Sequence, residues 1–287
     1  MSTNSSGGSD FSVLRFGERV CEVSLPFPGH HNVLNALAAL IAAFTITNAR
    51  RSHSAASASN ARPADASSSY SITAAAAPCD AAVVMKSVAA LAGYRGIARR
   101  MQHVGNVGFC AVYDDYAHHP TAIRAVIGAM RQRFPAARLV VVFQPHTYSR
   151  TTVLLHEFAD ALSLADRAIV TAVYDARGEA KEGFSPQVSG QDIARLIGGD
   201  TKGGVYCETL MDATRQLILE ARVVCARARS GKGALDQTSE NYSLIEVDAD
   251  AETETIGNAQ TVFLCLGAGS SNQLSKVLHG YLLRHNR

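Results

Sequence analysis

The 287-residue chain carries 27 basic and 25 acidic side chains, a net charge of +2, which excludes a strongly basic nucleic-acid arm or a long acidic tail as its organising feature. Apolar residues make up 47% and charged residues 18%, so a wholly disordered chain is excluded too. The length suits about two domains at roughly 150 residues each, and six widely spaced cysteines with no CxxC pair argue for reduced, buried thiols rather than a zinc finger or a disulfide scaffold.

Residues 1–10, MSTNSSGGSD, read as a disordered tail, without the basic start and apolar core of a secretory signal. Residues 11–16 and 20–25 alternate as two strands, with Gly17 and Glu18 as the turn between them. Pro26, Pro28 and Gly29 break the strand, and a helix is predicted from near His31 to about Thr47. Its longest apolar run, 36–44, is short of the ~20 residues of a membrane span. Neither a membrane nor a nucleic-acid partner is expected. Residues 49–82 shift to Ser and Ala and read as a linker or surface insertion.

From Val83 onward, apolar strands alternate with amphipathic helices. Strands are predicted at 109–115, 138–144, 167–174, 205–207 and 261–267, and helices at 121–134, 151–163, 191–197, 209–227 and from Asn272 to the end. This order predicts an α/β fold: a Rossmann-like, mostly parallel sheet with helices on both faces. Residues 229–258 are polar and acidic and read as a second insertion. The first 48 residues are too few for a domain and read as the end of something larger.

In an open parallel sheet, ligands bind beyond the carboxyl ends of the strands. Three polar clusters are predicted there: DDYAHHP (114–120), QPHTYSR (144–150) and YDARGE (174–179). Arg150 suits a carboxylate, and Asp115 or a histidine suits an ammonium, so the rim fits a small zwitterion. The Asp114, Asp115, His118 and His119 set can also be read as a metal site, but adjacent histidines diverge and no HExxH pattern accompanies them. No metal ligand is therefore assigned. Asn32 and Asn35, three apart on a helix, can share a face toward an adenine edge, or Asn32 can be a helix N-cap. GAGSSN (267–272) lacks the third glycine of a dinucleotide fingerprint, and GKG (231–233) is not a phosphate loop.

GHHNVLNALAALIAA, GYRGIARRM, VYDDYAHHPTAI and VFQPHTYSRT occur in this order and together resemble the Mur ligases, most of all their alanine-adding branch. The resemblance covers about 11–48 and 83–225 and returns at FLCLGAG. It implies that 11–48 is a remnant of a central ATP-binding domain and that 83–287 is the C-terminal, amino-acid-binding domain. His31, Asn32 and Asn35 match the adenine-side motif. Arg100 and Asp115 match positions that contact ATP, and Tyr116, His118, His146 and Arg150 match the alanine set. The resemblance further implies ATP and Mg²⁺ as cofactors, and L-alanine and UDP-N-acetylmuramate as partners. A carboxylate is activated as an acyl phosphate and the alanine amine attacks it, with His118 and Asp115 as the catalytic candidates.

Several features depart from the family pattern. The phosphate loop, the central Mg²⁺ ligands and the sugar domain are not in these residues, Thr147 stands where the family usually has arginine, and Gly178 stands where it tends to have glutamate. The resemblance is thus to a ligase part expected to be inactive alone, with a separate N-terminal half as a possible partner. A cytoplasmic location is expected, or the plastid stroma in a eukaryotic lineage. A non-catalytic binding or regulatory module and a metal-dependent phosphoesterase are the alternatives.

Overall fold

The computed structural model describes residues 1–58, 80–180, 188–198, 203–230 and 261–285. The chain divides into two compact units, Met1–Arg95 and Gly96–Arg287.

The first unit pairs three antiparallel strands, β1 (Ser2–Thr3), β2 (Ser9–Arg15) and β3 (Glu18–Leu25), with helices α1 (His30–Ala58) and α2 (Ala81–Ala92). The β2–β3 turn uses Phe16 and Gly17, both at positive φ (51° and 86°), which matches the right-handed twist of a hairpin. Alternate residues Phe11, Val13, Val23 and Leu25 turn inward onto Ala36 and Leu40 of α1.

Three expectations are corrected in this unit. Residues 1–10 are ordered: Asn4 donates to the Leu25 carbonyl at 2.9 Å and accepts from Gly8 N–H at 2.7 Å, so a polar side chain taken as a sign of disorder ties the β1–β2 turn to β3. Residues 49–58 continue α1, because Ala and Arg favour helix whatever their poverty in apolar bulk; residues 59–79 of the expected linker lie outside the described residues. Val83 does not begin the second unit, since α2, capped by Asp80 onto Ala82 N–H, packs Val88 and Leu91 against the first unit's core. Within α1, His30–Arg50 has a mean hydropathy of 1.5 over 21 residues, long and apolar enough by length and composition to cross a bilayer. Counting only the uninterrupted run missed this, because Asn and Thr interrupt the run without making it polar.

The second unit is a six-stranded sheet in the order β4-β5-β9-β6-β7-β8. Its strands are β4 (Gln102–Val107), β5 (Cys110–Asp115), β6 (Arg138–Phe143), β7 (Arg167–Thr171), β8 (Val205–Cys207) and β9 (Thr261–Leu266). All neighbours run parallel except β4, which forms a hairpin with β5. The six-stranded, mostly parallel sheet is the expected α/β fold; β4 was missed because QHVGNV has a polar half and an internal glycine. Helices α3 (Pro120–Arg133), α4 (Tyr148–Val153), α5 (Leu155–Leu162), α6 (Gly190–Leu196), α7 (Leu210–Ser230) and α8 (Asn272–His285) follow in chain order. The single helix expected over 151–163 is broken at Leu154, which leaves helical geometry at φ −111°, ψ 26°. The insertion expected at 229–258 lies outside the described residues beyond Ser230.

Strands β5 and β9 are buried at every position, and their period of two sends alternate side chains to opposite faces. Ala111, Tyr113, Val141, Phe143, Val262 and Leu264 pack against Ile123, Ile127, Phe158 and Leu162 of α3 and α5. Val112, Val140, Val142, Phe263 and Cys265 pack against Leu217 of α7 and Leu274 and Leu278 of α8. Cys110, Cys207 and Cys265 are buried and form no disulfide, and full burial pushes the Cys265 thiol far above its ordinary range.

Register decides where the strands stop. Asp115 pairs with Leu266, Leu266 with Phe143, and Phe143 with Val170, so four parallel strands end in one row. At the opposite edge, Glu220 takes Arg138 at 2.7 Å and Arg167 at 3.1 Å.

Phe263 is fully buried in a central strand, so Phe263→Ala should cost about 3–5 kcal/mol, read by urea denaturation as a lower midpoint at unchanged slope. In α1, Ile41 and Ile46 are 56% and 55% exposed. Replacing both with Gln should leave stability within about 0.5 kcal/mol and lower the binding of a hydrophobic dye.

Candidate active site

Beyond the row of strand ends the chain turns out of the sheet at Tyr116, Gln144 and Gly267, and the side chains there meet. Asp115, 2% exposed, accepts from Ala117 N–H and Met101 N–H, each at 2.7 Å, through its two oxygens. Its carboxylate braces the loop that carries Tyr116 and His118. The ring of Tyr116 stands edge-on to His118 with centroids 5.1 Å apart. His118 lies 5.6 Å from His146, and His146 stacks on Tyr174 at 6.0 Å and 25°. Four aromatic rings from three strand-end loops therefore form one row.

His118 Nδ1 lies 2.9 Å from the Tyr116 carbonyl, an oxygen that can only accept. Nδ1 thus carries the hydrogen, and in the neutral ring Nε2 is left as an acceptor. His119 diverges from its neighbour and caps α3, its Nδ1 accepting from Thr121 N–H at 3.4 Å. Pro at the first position of α3 completes that start.

Burial, then His118, Arg150 and Arg177, hold His146 below the usual imidazole range. The ring is therefore neutral near pH 7 while cationic guanidinium groups surround it. Arg150 is the third residue of α4, and its Nη1 is buried with no hydrogen-bond partner among the described residues. A guanidinium nitrogen in that state is costly unless an acceptor reaches it. Glu179 ties the third loop to the same helix, accepting from Ser149 Oγ at 2.7 Å and Ser149 N–H at 2.9 Å. These bonds hold its carboxyl below the usual range, and negative charge suits a helix start. Gly178 adopts φ 70° just before it, a conformation open to glycine and strained for the glutamate expected there. Thr147 is buried and is the N-cap of α4 by backbone position alone, without a side-chain capping bond.

Arg100 is exposed, with its guanidinium carbon 5.6 Å from the Tyr116 centroid. His31, Asn32 and Asn35 belong to the first unit, at the start of α1. Asn32 is not the N-cap: the helix begins at His30, and the carboxamide donates back to the Pro28 carbonyl at 2.7 Å. Asn35 is exposed.

Sequence reasoning placed Tyr174 in the third strand-end cluster without giving it a role and passed over Arg99; the structure brings both to the row. A Cβ on Gly269 would lie 2.7 Å from both Tyr174 Cγ and Gln144 Oε1. The glycines of GAGSSN thus serve close packing against the site. Among the described residues, no three His, Cys, Asp or Glu side chains gather as metal ligands. Asp114 faces Arg99, Asp115 faces backbone amides and His119 caps a helix, so the four residues of the phosphoesterase alternative do not share a focus.

Residues 99–226 match the family described as Mur ligase, glutamate ligase domain. The chain is 36% identical over 195 residues to the UDP-N-acetylmuramate–L-alanine ligase of Pediococcus pentosaceus, covering 68% of this chain and 36% of that protein. It is 40% identical over 184 residues to the protein of the same name from Mycolicibacterium gilvum, covering 63% and 31% respectively. The chain thus spans about a third of the length of these curated relatives, mainly their C-terminal part. The crystal structure of the UDP-N-acetylmuramate-alanine ligase of Thermotoga maritima superposes with a TM-score of 0.53 over 93% of this chain and 41% of that one, at 24% identity, a likeness of fold. The parallel sheet, the motif-bearing strand ends and these relatives agree: residues 99–226 of this chain form a Mur ligase C-terminal domain.

Proposed function

We propose that the second unit binds L-alanine at the row of strand ends, as the amino-acid side of an ATP-dependent ligation onto UDP-N-acetylmuramate. The observation that carries this reading is Arg150, whose buried Nη1 has no hydrogen-bond partner among the described residues and whose charge acts on His146, the ring between His118 and Tyr174 in the row. A carboxylate is the natural acceptor for such a group. The neutral His146 adds no competing charge. The names of the curated relatives supply the substrate class.

Each residue then has a distinct task. Arg150 orients the carboxylate of the amino acid. His118 presents Nε2 as an acceptor for a proton of the alanine ammonium, since only the free amine has a lone pair for attack. Tyr116 and His146 fix the position of His118 between them. Asp115 holds the loop through Met101 and Ala117, so its part is bracing rather than proton transfer. Arg100, exposed beside Tyr116, is placed to meet phosphate oxygens. ATP, when bound, supplies the phosphoryl group that makes a carboxylate electrophilic. His31, Asn32 and Asn35 are the first unit's candidates for its adenine. No side-chain group here is assigned to Mg²⁺.

Titration of L-alanine into the labelled full chain should shift the ring resonances of His118 and His146, and Arg150→Ala should weaken the dissociation constant by at least about tenfold. Unmoved histidine resonances at millimolar L-alanine would overturn the assignment. His146 should titrate with a midpoint below the 6.5 of a free imidazole. Because its folded pKa lies below its unfolded one, its neutral form stabilises the fold above the unfolded value, and that contribution is lost as pH falls from about 6.5 toward the folded midpoint. Proton NMR of the ring against pH reads this directly. The 287 residues contain no phosphate loop, so the purified chain should release no ADP in the presence of L-alanine; alanine-dependent release would contradict that part of the reading.

A further inference from the structure

Two adjacent arginines lie against the Tyr116 ring, the guanidinium carbons of Arg99 and Arg100 being 4.9 and 5.6 Å from its centroid. Arg100 is exposed, whereas Arg99 turns inward. Arg99 Nη2 donates to the carbonyls of Gly267 at 2.5 Å and Gly269 at 3.3 Å. Its Nε lies 3.5 Å from Asp114 Oδ2. Its own carbonyl accepts from Tyr116 N–H at 2.7 Å, and Gly267 N–H donates to the Asp115 carbonyl at 3.2 Å. Arg99 and Met101 both hold positive φ, 61° and 44°, a conformation that residues with side chains avoid unless their surroundings impose it. Gln102 Oε1, accepting from Arg99 N–H at 2.9 Å, and Asp115, accepting from Met101 N–H, impose it here.

We propose that Arg99 is a positioning residue: it locks the Tyr116 ring to the 267–269 turn, so that the amino-acid side of the site is preformed while Arg100 stays free for ligand. This rests on the reading that L-alanine is held in this row. Asp114 is the counter-charge that draws Arg99 inward, being 3% exposed. Burial lifts its carboxyl above the usual range, and Arg99 opposes that lift. One planar fork thus bridges two carbonyls, a carboxylate and a ring. A lysine ammonium is a point donor that keeps the charge but not that geometry.

The test uses the full chain, Arg99→Lys, and Arg124→Lys as control, since Arg124 pairs loosely with Asp160 on the surface, at 3.8 Å. Arg99→Lys should move the Tyr116 ring resonances, speed exchange of the Gly267 amide by about tenfold or more, and weaken L-alanine binding by about tenfold; the control should change none of these. A second variant, Tyr116→Leu, removes the ring and spares the bonds from Arg99 to the turn. It should weaken L-alanine binding without speeding Gly267 exchange, and it serves if Arg99→Lys does not fold. The proposal is overturned if Arg99→Lys leaves ring and exchange unchanged, if it alters them without affecting L-alanine affinity, or if Tyr116→Leu binds L-alanine as tightly as the parent. Should the parent chain bind no L-alanine, the alanine reading falls by itself, and the ring and exchange data still decide whether Arg99 sets the turn.

Discussion

The site depends on one constraint, the shared register of four parallel strands. Asp115, Leu266, Phe143 and Val170 stand side by side at the carboxyl edge. Each following loop therefore leaves the sheet at the same level, and residues far apart in sequence arrive together. A slip of one residue in β5 would send Asp115 to the other face and take its oxygens away from Met101 and Ala117. The register is held by burial on both faces, where Phe143 and Leu264 interlock with Phe158 on one side and Phe263 with Leu217 and Leu278 on the other.

On this rigid row, the electrostatics are arranged by depth. Asp114 and Asp115 are adjacent, buried carboxylates with opposite tasks: one takes a guanidinium, the other two backbone amides. With Asp115 held by two amides and Asp114 facing Arg99, the open functions of the rim are positive groups. Arg150 retains a buried nitrogen without a partner among the described residues, and Arg100 faces outward. Spare donors beside neutral imidazole suit the anionic group of the proposed ligand. Glu179, spent on Ser149 at the start of α4, does not compete for it.

Much of this was legible in the sequence. The alternation of apolar strands and amphipathic helices indicated the sheet, the placing of polar motifs at strand ends put three clusters on one rim, and the resemblance to the Mur ligases picked out Tyr116, His118, His146 and Arg150 among them. The rings do stand in a row, with Arg150 acting on His146. Composition misled where small or polar residues do structural work. Asn4 ties down a stretch read as disordered, Ala and Arg extend α1 through a stretch read as linker, and the half-polar β4 gave no strand signal. Arg99 was hidden because two adjacent arginines look equivalent in a string of letters; only a backbone at positive φ turns one inward.

By itself, the sequence determined which segments are strands and helices in most of the second unit, because hydrophobic period is a local property written residue by residue. It also determined the family, because the motifs are long and ordered. Tertiary structure alone decided the strand order that places β9, last in sequence, between β5 and β6, and so brought the 267–269 turn against Arg99 and Tyr174. It also decided which charges are spent and which are open. The reason is physical: β9 finds β5 and β6 across more than a hundred residues, and each carboxylate finds its partner in another segment, by packing and desolvation that no local pattern encodes.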